Sequence, residues 1–294
     1  MSEVARDYRE LMNKVLLSLC VFSFYAQAVD QHNHYANDVF QRQSPKAFAL
    51  QPESKSFLKE AQEKALTERE ALVTLVNSNS SLKEKIENFP TLGWDQKTEV
   101  LKSVFDLEVQ ALGMKAPELI IANGVIPGSA FFKFDIEKPG PGSVILNPAR
   151  LQNSKNPYSA LMLLVHETRH SSQFQRAFSE SAEPSALSEG YKEAFTTQKG
   201  IFDSQTDTTF SDFLTLVNEY EAFQFGNYVV GVLTNFKADT LGFGTFASQY
   251  NADKTLKIDL LDLFKQQDAG TLKTSVLDAF NEAEKAQYDL LYKD

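Results

Sequence analysis

The chain has 294 residues, 43% hydrophobic and 23% charged, the make-up of an ordinary globular protein with room for one large domain or two small ones. Its 39 acidic and 29 basic side chains give a formal net charge of −10. Neither a nucleic acid nor an anionic membrane surface attracts such a chain, so neither is expected as a partner.

The first feature in chain order is Lys14 followed by an apolar run from Val15 to Tyr25 and then Ala26-Gln27-Ala28. A positive charge, a short apolar core and an A-x-A site form the pattern of a secretory signal peptide, with cleavage expected after Ala28. Met12 makes a tidier start for that signal than Met1. The run is too short to span a bilayer, so no membrane insertion is expected once the signal is removed. The rival readings are a buried first helix and a lipoprotein signal. The second is disfavoured by the bulky Leu19 before Cys20. Cys20 is the only cysteine, so the processed chain would have no disulfide and no thiolate ligand. Export without cysteine points to a bacterial periplasmic or secreted protein.

Residues 29–52 are polar and carry turn signals, and they read as an extended arm. His32 and His34 on it are expected to belong to a flexible segment rather than to a metal site. Apolar residues at helical spacing predict amphipathic helices over 53–76, 81–88 and 95–112, the last capped by Asp95 and closed by Gly113. The character then changes. Residues 118–122, 130–134 and 143–146 are short β-prone runs, and Lys138-Pro-Gly-Pro-Gly142 is an emphatic turn between the last two. Asn156 and Pro157 predict the N-cap and first residue of a helix that continues to Phe178. Further helices are expected near 185–199, 211–233, 252–267 and 274–292. Strands followed by a majority of helices imply a helix-rich α+β fold. The expected division is a signal at 1–28, an arm and helical region at 29–112, a core at 113–235 and a C-terminal helical region at 236–294.

Inside the apolar helix at 156–178 stand His166-Glu167-Thr168-Arg169-His170, the H-E-x-x-H signature of zinc peptidases. With only four histidines in the chain, chance would produce this spacing in about one such sequence in a few hundred, too rarely to be dismissed as coincidence. Two histidines four apart lie one turn above each other, so both imidazoles can converge on one ion. Glu167 between them is the candidate general base. The duller reading is a pair of helix histidines with a solvated glutamate. It conflicts with the apolar lead-in Leu161-Met-Leu-Leu-Val165, which predicts a buried helix where such groups need partners.

A zinc site needs a third protein ligand and one open position. No histidine follows His170, so the third ligand is expected to be a carboxylate, with candidates Glu180, Glu183, Glu189, Glu193, Glu219 and Glu221. Glu219 is favoured because Glu219, Ala222 and Gly226 share one helical face whose small residues permit close approach to the motif helix. Glu221 is the second choice and Glu193 the third.

These blocks resemble the gluzincin-type zinc metallopeptidases, closest to the compact minigluzincin-like groups. His166-Glu167-Thr168-Arg169-His170-Ser171-Ser172-Gln173 is similar to their H-E-x-R-H-x-x-Q block. Glu219-Tyr220-Glu221-Ala222-Phe223-Gln224-Phe225-Gly226 is similar to their E-x-[DE]-A-x-x-F-[AG] block. The resemblance covers roughly residues 115–230. It implies a zincin-like core with a small sheet, zinc held by His166, His170 and Glu219, and Glu167 as base. Of the related pattern N-E-x-x-x-D, Asn218-Glu219 is present but Phe223 stands where the aspartate would be, so another residue is expected to orient His166.

The reaction so implied is hydrolysis of a peptide bond in a peptide or protein substrate, with the substrate lying antiparallel to an exposed strand edge, for which residues 130–134 are the candidate. Tyr191, Tyr220 and Tyr228 are candidate oxyanion donors. Arg169 is expected instead to pair with a carboxylate and hold helices together. Two rival functions share these residues. One is a non-catalytic zinc-binding or interaction protein, against which the intact Glu167 argues. The other is a zinc amidase acting on a non-peptide, cell-wall amide.

Overall fold

A computed structural model describes residues 38–179, 183–204, 213–238, 256 and 258–292. The expected signal peptide, Met12, Cys20, His32, His34 and Glu180 lie outside the described residues. The described residues are helix-rich with one small sheet, an α+β arrangement.

The segment read as a polar arm is more ordered than its composition suggests. A short helix α1 (Asp38–Gln43) leads into Ala47-Phe48-Ala49-Leu50, all buried. Phe48 forms an antiparallel bridge with Leu216, and the Ala49 N–H donates to the Thr215 carbonyl at 2.9 Å. Four small or apolar residues in a row outweigh the polar flanks and tie the N-terminal segment to the turn that launches the Glu219 helix.

Helix α2 (Lys55–Ser78) buries Phe57, Leu58, Ala61, Leu72, Val73 and Val76 on one stripe, together with Glu68. Asn79 ends it and starts α3 (Ser80–Glu87), its side chain accepting the Leu82 N–H at 3.1 Å. Helix α4 (Trp94–Leu112) begins after Gly93, so Asp95 stands in its first turn, where it complements the helix dipole, rather than at the cap. Gly113 closes it in the left-handed conformation at φ 60°.

Strands β1 (Glu118–Ile121), β2 (Ala130–Lys133) and β3 (Ser143–Leu146) form a sheet of order β1-β3-β2, with β1 parallel and β2 antiparallel to β3. β2 is therefore an edge strand. Gly142 has a φ of 73°, and a Cβ there would lie 2.5 Å from the Phe132 ring and 2.6 Å from the Lys133 carbonyl oxygen. Only glycine fits that crossing.

After a four-residue helix α5 (Pro148–Leu151) comes the central helix α6 (Ser159–Phe178). It starts two residues later than expected. The Asn156 side chain accepts the Tyr158 N–H at 2.9 Å, closing a turn that contains Pro157 instead of capping the helix. From Ala160 to Phe174 only Leu163 escapes full burial, because α4, α7 (Ala186–Ser204), α8 (Val217–Leu233) and the sheet surround α6. α7 is longer than the expected 185–199. α8 begins six residues after the expected 211, behind the turn at 213–216 that pairs with Phe48 and Ala49. Helices α9 (Leu260–Asp268) and α10 (Val276–Tyr292) follow, with Asp259 capping α9. One cluster of buried apolar side chains runs from Ala47 through α6 and α8 to Phe264 and Phe280. Among the described residues, no helix is long and apolar enough to cross a membrane.

Candidate metal centre and cleft

His166 and His170 stand one turn apart on α6, and Glu219 stands in the first turn of α8. The two helices pack closely because small residues face the contact. Ala222 is buried, and a Cβ on Gly226 would lie 3.6 Å from the His166 backbone nitrogen and 3.7 Å from the Met162 carbonyl oxygen. That closeness brings the three ligand-type side chains together. His166 Nε2 and His170 Nε2 are 3.0 Å apart, and each is 3.3 Å from Glu219 Oε2. Two ligands held at about 2.0–2.1 Å on a tetrahedral ion are separated by about 3.3 Å, so the triangle has the right size. All three residues are buried, and the group could hold a metal ion.

Neighbouring side chains aim these donors. Gln173 Oε1 lies 2.8 Å from His170 Nδ1 and accepts its N–H, which turns Nε2 toward the triangle. Gln198 Nε2 donates to Glu219 Oε1 at 3.0 Å, leaving Oε2 for the triangle, and Asn218 Nδ2 donates to Gln198 Oε1 at 2.9 Å. The expectation that a polar residue orients His166 is not met. His166 Nδ1 has no hydrogen-bond partner among the described residues, and the Phe223 ring lies against the imidazole with centroids 4.1 Å apart. The residue in place of the aspartate orients by packing.

The electrostatics suit a cation. Burial alone would raise the Glu219 carboxyl, but the facing imidazoles of His170 and His166 hold it far below the ordinary carboxylate range. Burial opposes charge on His170, yet the Glu219 carboxylate overrides it and pushes the imidazole up to about 9. Glu167 is raised by burial, against the pull of both imidazoles and of the Phe132 N–H that its carboxylate accepts. A raised carboxyl beside a candidate metal centre suits a proton-accepting role near neutral pH.

The other candidates are placed elsewhere. Glu221, about 160° round the helix from Glu219, is fully engaged by Arg169 and Gln173. Glu193 lies beside Lys46, and Glu183 and Glu189 are exposed. None of the three tyrosines reaches the metal group. Tyr191 is buried beside the Arg169–Glu221 charges and edge-on to Phe57. The Tyr220 hydroxyl accepts from Gln224 at 2.6 Å in a groove on the far side of α8. Tyr228, half a helical revolution from Glu219, bonds Glu70 and carries the Arg69 guanidinium over its ring.

His166, Glu167, His170 and Glu219 open into a cleft of about 260 Å³. One wall is β2. The Asn147 N–H donates to the Ser129 carbonyl at 2.9 Å, and antiparallel pairing alternates from there, so the Ala130 and Phe132 backbone groups point outward from the edge. Phe195, Phe202, Phe213 and Phe223 supply much of the apolar lining, and Gln198 and Arg150 the polar part. Phe132 serves both settings, flooring the cleft while packing on Phe174 and Phe195 in the core. Sequence reasoning missed Gln198 and Arg150, because neither stands at a spacing that distinguishes it from a surface residue.

No protein-family model matches the chain, no curated protein matches it, and no solved structure matches its fold.

Proposed function

We propose that this chain is an exported zinc-dependent metallopeptidase, with His166, His170 and Glu219 as zinc ligands and Glu167 as general base. The observation that carries this reading is the buried triangle of two imidazole nitrogens and one carboxylate oxygen, with a second, raised carboxyl next to it in sequence and facing the same cleft. A donor set of two nitrogens and one oxygen with an open side suits zinc.

When bound, zinc would act as a Lewis acid on the scissile carbonyl and lower the pKa of water at the site. The protein residues do the rest. The outward edge of β2 offers backbone groups along which an extended peptide can lie as an added strand. Glu167 takes a proton from the attacking water as its oxygen bonds the carbonyl carbon, then delivers it to the amine nitrogen as the C–N bond breaks. Gln173 and Gln198 hold their ligands in place throughout. The aromatic cleft excludes bulk water. The apolar run at 15–25 and Ala26-Gln27-Ala28 support export, and N-terminal sequencing of protein recovered outside the cytoplasm should begin at Val29.

The test is zinc content and hydrolysis of a peptide mixture by the wild type, Glu167→Gln and Glu219→Gln. One zinc per chain is expected in the wild type and in Glu167→Gln. Only the wild type is expected to hydrolyse peptide bonds, and Glu219→Gln should lose most of its zinc. Zinc retained with no peptide cleaved would favour a binding protein or an amidase of non-peptide bonds. A chain that holds no zinc would end the proposal.

A further inference from the structure

Arg150 is the only arginine or lysine among the described residues that line the cleft. It belongs to α5, directly after β3, and its Nε donates to the Pro127 carbonyl at 3.2 Å, which fixes the guanidinium at the end of the cleft where β2 begins. Its two terminal nitrogens have no protein partner among the described residues. Apart from the candidate metal group, Glu167, Gln198 and Ser129, the lining that it shares is mainly phenylalanine, leucine and residues of β2. With a net charge of −10, the chain has no general attraction for acids, so one exposed guanidinium at the rim of the cleft is a local device.

We propose that Arg150 is a specificity-determining residue that receives a carboxylate of the substrate on the leaving-amine side of the scissile bond. The inference rests on the cleft being the peptide-binding cleft of the proposed enzyme.

The direction follows from the sheet. A strand added to the free edge of β2 in antiparallel sense runs opposite to it. Phe132 of β2 stacks beside His170, ring centroids 6.4 Å apart, and lines the cleft together with Glu167, which sets the level of the reacting bond. Residues after that bond then pass Ala130 and approach Ser129 and Pro127, where Arg150 is held. Ser129 lies three strand residues before Phe132, about 10 Å along the edge, so the carboxylate lies two or three residues beyond the cleaved bond. A guanidinium fork matches a carboxylate in two parallel hydrogen bonds, which a neutral amide cannot reproduce.

Two sources offer this chemistry: the C-terminal carboxylate of a short peptide, or an acidic side chain within a longer one. Binding of short N-acetylated alanine–phenylalanine peptides to zinc-loaded Glu167→Gln, by calorimetry, separates them. The peptides end in a free acid, in an amide, or in an amide with glutamate at the second or third place after the aromatic pair. An acid-ended peptide binding about tenfold more tightly than its amide, with the ratio falling to near one when Arg150→Gln is added, identifies the C-terminal carboxylate. The same pattern confined to the glutamate peptides identifies an acidic side chain. Adding Arg150→Glu should invert either preference in favour of a lysine-bearing amide. Equal binding of acid, glutamate and neutral amide peptides overturns the inference, as does discrimination that survives in Arg150→Glu. Hydrolysis by the wild type is read separately. A wild type that cleaves nothing removes the peptidase reading yet leaves the binding comparison to decide on Arg150.

Discussion

Arg169 on α6 and Glu221 on α8 are locked in a forked ion pair: Arg169 Nε lies 3.0 Å from both carboxylate oxygens, and Nη2 lies 2.6 Å from Oε1. Each partner is a sequence neighbour of the candidate metal group, Arg169 beside His170 and Glu221 two residues beyond Glu219. The remaining Arg169 nitrogen, Nη1, binds Glu68 Oε2 of α2 at 2.6 Å, and Arg176 Nη2 binds Glu68 Oε1 at 2.5 Å. A chain of polar contacts thus runs from α2 through Arg169, Glu221 and Gln173 to His170 Nδ1.

Arg169→Ala should therefore be among the most destabilising single changes in the protein. It leaves Glu221 and Glu68 buried without their main partner, a situation that costs about 3–5 kcal/mol. Arg169→Lys should recover only part of that, because a point charge cannot serve both carboxylates in the observed geometry. Urea unfolding of the variants measures the loss. A cost below about 1 kcal/mol would show that the pair contributes little to holding α6 and α8 together.

Gln173 and Gln198 each hold one ligand from behind, so removing either should weaken metal binding more than folding. Gln173→Ala and Gln198→Ala should each lower zinc affinity by about 10–100-fold. Competition against a chelator reads the affinity, and the unfolding midpoint in excess chelator reads the fold. Wild-type affinity in both variants would mean that packing alone aims the ligands.

How much of this was legible in the sequence depended on whether the signal was local. The two histidines and Glu167 were readable because one helical turn fixes their relation, and Glu219 because the small faces of Ala222 and Gly226 predicted close approach. Glu68 also carried a readable sign: it occupies the stripe 61-65-68-72-76, otherwise apolar, so an acid there implied a buried partner. The identity of that partner, 101 residues away, was not readable, since nothing local encodes a contact between distant helices. Tyr220 is next to Glu219 in the sequence yet turned to the far side of α8, an angle that sequence proximity does not give. The buried run at 47–50 was obscured by its polar flanks.

Glu108 on α4 gives the clearest pH signature. It is fully buried, neither carboxylate oxygen has a hydrogen-bond partner among the described residues, and burial pushes its pKa well above 4.5 despite nearby Arg169. Arg169 and Arg176 are already matched by Glu221 and Glu68, so a further negative charge has no counterpart. The folded state therefore binds the Glu108 proton more tightly than the unfolded state. Its contribution is complete below the unfolded pKa and is lost as pH rises toward the folded value. Glu108→Gln should remove that slope, so its stability relative to wild type should improve as pH rises above 5. Unfolding curves that stay parallel across this range would place the Glu108 proton elsewhere.

Gly226 permits a prediction in which size alone decides. A Cβ there meets the His166 nitrogen at 3.6 Å and the Met162 oxygen at 3.7 Å, ordinary contact distances, so Gly226→Ala fits without moving α6. Alanine also removes the backbone-entropy cost of a mid-helix glycine, worth about 1 kcal/mol. Gly226→Ala should thus retain zinc and unfold at equal or higher denaturant concentration. Gly226→Leu adds atoms that have only the α6 backbone to meet, and it should push α8 away at the level of His166. The Glu219–His166 distance of 3.3 Å is then the first to open. Zinc affinity should fall by more than tenfold while much of the helical signal in circular dichroism remains, since helix content does not depend on that spacing. If Gly226→Leu bound zinc as the wild type does, close packing of these two helices would not be what assembles the site.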